Sequence, residues 1–153
     1  MTGTDALIRA LADRAELTDL VARHSLWIDE HRFDETGRLF TADVVVSSPR
    51  GEARGIEALV GLVRPDRHRY ARTLHNKSNV VIELDGDTAT VRAHDLAVFV
   101  SADDTEAVGA GIHHYGARRT PDGWRFDRLE ITPIALTAPL PTQRLPRAAP
   151  AGV

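Results

Sequence analysis

The chain has 153 residues, 42% hydrophobic and 27% charged, which is enough for one domain that closes its own core. Twenty-two acidic against 19 basic residues give a net charge of −3, too mild a field for nucleic acid or an anionic membrane. No apolar run approaches the roughly 20 residues of a membrane-spanning helix. Cysteine is absent, which excludes disulfides, thiolate metal sites and cysteine nucleophiles and is compatible with a cytoplasmic protein.

The front of the chain reads as helical. Met1 to Asp13 alternate apolar and charged groups, with no signal-peptide core. Thr4 or Asp5 is a candidate cap for a short first helix through Leu7, Ile8 and Leu11. A longer helix is expected over residues 14–30, where Leu17, Val21, His24 and Ile28 recur at helical spacing. Asp34 starts a short helix through Leu39 and Phe40. Residues 44–47 form a short strand, Pro49-Arg50-Gly51 a turn and residues 52–54 a return strand. A further helix over 56–63 ends before Pro65.

From about residue 71 the pattern turns to strands. Val80-Val81-Ile82 leads into Asp85-Gly86, a hairpin signal, and residues 88–100 return. Residues 108–119 and 124–134 supply two more strands, with turns at 101–105 and at Pro121-Asp122-Gly123. Four long antiparallel strands must cover one face, and the front helices are the available cover. The expected fold is therefore α+β: a curved antiparallel sheet over residues 71–134, wrapped round N-terminal helices. The domain is expected over residues 1–143. Beyond Ile134 come four prolines, which argue against regular structure, and residues 144–153 are expected to be disordered.

Several side chains have chemical potential. Asp29 lies beside Ser25 on the flank of the apolar stripe, as either a solvated helix-end acid or a carboxylate in need of a partner. Alternation puts Thr73, His75, Lys77 and Asn79 on one face of a strand, which either meets water or lines a polar pocket. His113 and His114 are strand neighbours and point to opposite faces, so they cannot serve one site. A three-residue loop at Asp85-Gly86 brings Asp95 to face His75; a two-residue loop brings His94 nearer instead. His24 reads as a hydrogen-bonded core histidine. The run Arg64, Arg67, His68, Arg69, Arg72 reads as a solvated loop or as a mouth for an anion. There is no His-Glu-x-x-His, Gly-x-Ser-x-Gly or P-loop pattern, and no metal site is expected.

The segments Ala10-Leu11-Ala12-Asp13-Arg14, Ile28-Asp29-Glu30-His31-Arg32-Phe33, Leu39-Phe40-Thr41-Ala42-Asp43, Arg54-Gly55-Ile56-Glu57 and Asp122-Gly123-Trp124 resemble, in this order, SnoaL-like domains of the nuclear-transport-factor-2-like superfamily. The resemblance covers residues 5–134 and implies an α+β cone closing a deep apolar pocket. That family includes steroid isomerases, polyketide cyclases, epoxide hydrolases, scytalone dehydratases and a dehydrochlorinase, together with proteins that perform no chemistry. In its dehydratase and dehydrochlorinase branch an Asp at the end of the long helix pairs with a strand His, and Asp29 and His75 match those positions. His113 falls where scytalone dehydratase has a pocket Asn, and Ile28 where it has a Tyr, so scytalone is not the expected substrate.

The resemblance implies a cofactor-independent elimination or proton shift on a small, apolar, carbonyl-bearing molecule. Asp29, His75 and His113 are the candidate catalytic residues, and Asp95, Phe99 and Tyr115 the candidate substrate contacts. The alternatives are a cyclase, an epoxide hydrolase or a non-catalytic binding module. A homodimer or higher homo-oligomer is expected, paired through the convex face of the sheet.

Overall fold

The structure is a computed structural model that describes residues 2–137 and 140–141. Its first element, α1 (Gly3–Asp29), is one unbroken helix of 27 residues where two were expected. The sequence between Leu11 and Arg14 holds no glycine or proline to break it. The acid there, Asp13, is buried and satisfied by Arg119 Nη2 at 2.7 Å and Trp124 Nε1 at 3.1 Å. The cap is Thr2 rather than Thr4 or Asp5. Its hydroxyl accepts from the Asp5 N–H, and the Asp5 carboxylate accepts from the Thr2 N–H, a reciprocal box. The helix stops where His31 takes a left-handed conformation (φ 55°) and the Arg32 N–H reaches the Trp27 carbonyl at 3.0 Å.

A single 3₁₀ turn (Phe33–Glu35) leads into α2 (Thr36–Leu39), and the Trp27 indole N–H donates to Thr36 Oγ1 at 2.9 Å, fixing this corner to α1. Strands β1 (Phe40–Ser48) and β2 (Gly51–Arg54) form a hairpin, followed by α3 (Ile56–Val63) and the short α4 (Asp66–Arg69). The helical turn of α4 falls inside the basic run that read as a loop. Then come the four long strands, β3 (Arg72–Asp85), β4 (Thr88–Val100), β5 (Thr105–Thr120) and β6 (Gly123–Leu136).

The strands lie in the order β2-β1-β6-β5-β4-β3. The long four are antiparallel as expected, but β1 runs parallel to β6, so the sheet is mixed. Regular structure also extends past Ile134. β5 begins beyond the end of β6, and its free edge pairs with β7 (Leu140–Pro141) at Thr105 and Glu106. The expectation for residues 144–153 lies outside the described residues.

The core sits between α1 and the concave face. Leu17, Leu20, Val21, His24 and Trp27 of α1 are buried with Val91, Tyr115, Trp124, Phe126 and Leu129 of the sheet. α1 runs antiparallel to β3 along its length: Arg14 Nη1 donates to the Ile82 carbonyl at 2.8 Å near one end, and Asp29 meets Thr73 and His75 at the other.

Candidate functional site

The site is set by the face that each strand turns inward. In the first half of β3 the inward residues are Thr73, His75 and Lys77. Asn79 was expected to join them, but it takes a left-handed conformation (φ 51°) inside a bulge between Ser78 and Val81. The bulge reverses the phase. Val80, Ile82 and Leu84 pack on the core after it, while Asn79 turns outward to His94. The hairpin that follows has a two-residue loop, Gly86 and Asp87, with Gly86 at φ 59°. That loop alone would have turned His94 inward. The bulge offsets it, so Asp95 faces the interior opposite Lys77, and His94 faces out.

Asp29 and His75 meet. His75 Nδ1 lies 2.7 Å from Asp29 Oδ1, the His75 backbone N–H donates to Oδ2 at 2.8 Å, and Thr73 Oγ1 donates to Oδ1 at 2.8 Å. β3 is a sheet edge, and Asp29 takes up an N–H that the ladder leaves free. Burial pushes the Asp29 carboxyl up, but these three hydrogen bonds outweigh it and hold the group below the usual carboxylate range. An ionised carboxylate only accepts, so Nδ1 of His75 carries the proton and Nε2 presents its lone pair. Nε2 has no partner among the described residues. His75 borders a cavity of about 20 Å³, not the deep apolar pocket that the resemblance implies, with Ile28, His31, Phe33, Val63, Asp66, Thr73 and Phe99 in its wall; Phe99 packs edge-on against its ring at 5.6 Å. A wider groove, lined by Asp43, Glu83, Arg118 and Asp127 among others, lies apart from these residues and is crossed by the Arg118–Asp43 ion pair.

One inward position further along β3 is a second cluster. Lys77 Nζ donates to Asp95 Oδ1 at 2.6 Å, and His113 Nε2 lies 3.4 Å from Asp95 Oδ2. His113 Nδ1 is 3.1 Å from the Tyr115 hydroxyl, which is 2.9 Å from His24 Nδ1. The carboxylate at one end orders the chain. His113 turns its N–H to Asp95, so its Nδ1 accepts from the Tyr115 O–H, and the Tyr115 oxygen accepts from the His24 N–H. Burial raises the Asp95 carboxyl, but His113 and Lys77 together hold it far below the usual range. Burial lowers Lys77 and His113, with Asp95 opposing in both cases. Burial also drives His24 well down and Tyr115 well up.

The candidates thus fall into distinct places. His75 and Phe99 border the pocket, and Asp29 holds His75 from behind. Asp95 and His113 lie deeper, in the second cluster. Tyr115 is fully buried, stacked on Phe126 at 4.2 Å, and meets His113 rather than the pocket. His114 points outward, as the opposite-face argument requires. His24 is the hydrogen-bonded core histidine that the helix stripe implied. Two residues near the site are not among the candidates, although alternation already placed Lys77 on the polar face of β3. Lys77 shares an alternating face with His75, and a cation on an inward face must find a carboxylate. His31 owes its place to the turn that ends α1, which no residue pattern announces.

The sequence model of the SnoaL-like domain matches residues 9–130. An uncharacterized protein of Mycobacterium tuberculosis is 32% identical over 128 residues, covering 79% of this chain and 85% of its own length. Among solved structures, the chain resembles a hexachlorocyclohexane dehydrochlorinase (TM-score 0.81, 20% identity, covering 95% of this chain and 99% of that one). It also resembles a putative scytalone dehydratase from Novosphingobium aromaticivorans (TM-score 0.77, 22% identity, 89% and 97%). An NTF2-like protein from the same organism gives a TM-score of 0.75 at 26% identity, over 86% and 88% of the two chains.

Proposed function

The chain belongs to the SnoaL-like family, with the NTF2-like fold, and from that premise we propose that it is a cofactor-independent lyase or isomerase. The observation that carries this reading is the Asp29–His75 pair, with Nδ1 held and Nε2 unpartnered among the described residues, beside a small pocket walled in part by Ile28, Phe33, Val63 and Phe99. Family members include dehydratases and dehydrochlorinases, which makes elimination a chemistry this fold supports. A histidine fixed in one tautomer by a carboxylate is oriented to take a proton from carbon. Asp29 stabilises the imidazolium that forms without itself taking the proton. Ile28, Phe33, Val63 and Phe99 keep water from the reacting atoms and favour a small, largely apolar substrate. Loss of a neighbouring hydroxyl or halide then gives elimination, and return of the proton to another carbon gives isomerisation.

The test is turnover of hydroxylated and halogenated carbonyl compounds. General-base catalysis is typically worth about 10²–10⁴-fold, and His75→Gln is expected to lose that much. Asp29→Asn is expected to lose much of the rate while keeping the fold, because an amide can hold the wrong tautomer. His114→Ala, on the outer face, is the control and keeps the wild-type rate. Wild-type turnover in both dyad variants sinks the mechanism.

A further inference from the structure

We infer that Lys77 is an oxyanion-binding group of the same site, and that the substrate is a carbonyl compound whose oxygen it receives while His75 takes the adjacent C–H proton. This rests on the reading of Asp29 and His75 as the base.

The first observation is an incomplete ammonium. The Lys77 side chain is only 3% exposed, yet among the described residues Nζ has a single acceptor, Asp95 Oδ1. An ammonium has three N–H donors, so two are left inside the protein without a protein partner, which is costly for a buried charge. The second is Ser25. Its hydroxyl is buried and has no partner among the described residues. α1 runs antiparallel to β3, and Ser25 lies one turn before Asp29, which places it about level with Lys77. With Nε2 of His75 there are three unfilled hydrogen-bonding positions on facing elements. Such a set fits a polar ligand group rather than an apolar core.

The spacing fits a carbonyl. His75 and Lys77 are successive inward residues of one strand, about 7 Å apart at their Cα atoms. The α-carbon and oxygen of a carbonyl compound lie about 2.4 Å apart, given ordinary C–C and C=O lengths. A near-attack distance of about 3 Å on the carbon side and a hydrogen bond of about 2.8 Å on the oxygen side then make a chain of roughly 8 Å between the two nitrogens, a reach open to two long side chains that project from neighbouring inward positions. In the step, His75 Nε2 takes the proton, the C–H electron pair becomes the new C=C bond, and the carbonyl π pair moves onto oxygen. The negative charge forms where Lys77 donates. Asp95 prevents the ammonium from swinging away, and His113, fixed by Tyr115, holds Asp95; these are positioning residues. A donor aimed at developing charge in a water-poor site is where electrostatic stabilisation is largest.

The test uses 4-nitrophenol, which carries its oxyanion on an apolar ring and changes absorbance on ionisation. Wild type is expected to bind the phenolate and lower the apparent pKa of the bound phenol by a unit or more. Lys77→Met takes from Asp95 its ammonium partner, so the double variant Lys77→Met/Asp95→Asn, neutral at both positions, is measured beside it. Both are expected to bind phenolate at least tenfold more weakly, and Lys77→Arg is expected to restore part of the spectral shift. His75→Gln should keep the phenolate signature even though it loses turnover. Absence of phenolate binding by wild type overturns the inference. So does equal binding by the double variant, or a signature that vanishes in His75→Gln and persists in Lys77→Met. Turnover that survives in His75→Gln speaks against the dyad instead, and leaves the phenolate result to be read by itself.

Discussion

Two of the buried histidines are kept neutral by their surroundings, and this links the interior to pH. Burial lowers His24 strongly, with Lys77, His113 and His75 adding unfavourable positive charge and Asp95 opposing them. Burial also lowers His113, where the Asp95 contact opposes it and nearby Lys77 adds to it. A histidine whose folded pKa lies below its unfolded value near 6.5 binds its proton first in the unfolded chain. Its contribution is therefore complete above about pH 6.5 and falls as pH drops from there towards the folded pKa. Urea denaturation between pH 7.5 and 5 is expected to show stability falling as pH drops below about 6.5, by at most about 1.4 kcal/mol per pH unit for each histidine. His24→Gln should lower stability at pH 7.5 but flatten this slope. Asp29 acts in a separate, lower window: its depressed folded pKa stabilises above about pH 4, and that contribution is lost as pH falls through the folded value. An unchanged slope in His24→Gln would show that the protons are taken up elsewhere.

At the scale of elements, the bulge at Asn79 decides which chemistry faces inward. Before it, odd-numbered residues of β3 look into the cone; after it, even-numbered ones do. The sequence showed both halves of this strand separately: the polar alternation of Thr73, His75 and Lys77, and the β-branched run at residues 80–82. It did not show the join, because Asn79 looks like any polar strand residue until its left-handed backbone is known. For the same reason the choice between His94 and Asp95 could not be made from the loop alone, since two local irregularities offset each other. The Asp29–His75 pair came from the family resemblance: the pattern alone left Asp29 open between a solvated helix-end acid and a carboxylate in need of a partner, and His75 between water and a polar pocket. The continuity of α1 was missed because Asp13 looks like a helix boundary and is instead an internal hydrogen-bond acceptor for Arg119 and Trp124. Asn79→Gly should leave stability nearly unchanged, since glycine accepts φ near 51° freely. Asn79→Val should cost about 1–2 kcal/mol in urea denaturation from left-handed strain. Deleting Asn79 should turn Leu74 and Asn76 inward and abolish any turnover that Asn79→Gly retains.

At the scale of the molecule, one face of the sheet is filled and the other is open. α1 and the inward aromatics cover the concave side around the core. On the convex side, Leu74, Val98 and Val108 form a row across β3, β4 and β5, with Leu96 in the next row beside Ala110. Leu74 and Leu96 are each more than half exposed. A contiguous apolar patch, unlike scattered single residues, marks a surface that associates. A second copy can bring the same face against it about a two-fold axis, which satisfies both patches at once. Light scattering at micromolar concentration is therefore expected to give twice the chain's 16.8 kDa. Leu74→Lys combined with Leu96→Lys should shift the mass to the monomer. Truncating a central interface anchor costs about 2 kcal/mol or more, which is over tenfold in the association constant. Both side chains point away from Asp29 and His75, so the monomeric variant should keep the dyad's geometry and its turnover per chain. A wild-type chain that scatters as a monomer would rule out the pairing, and a double variant that still pairs would place the contact elsewhere.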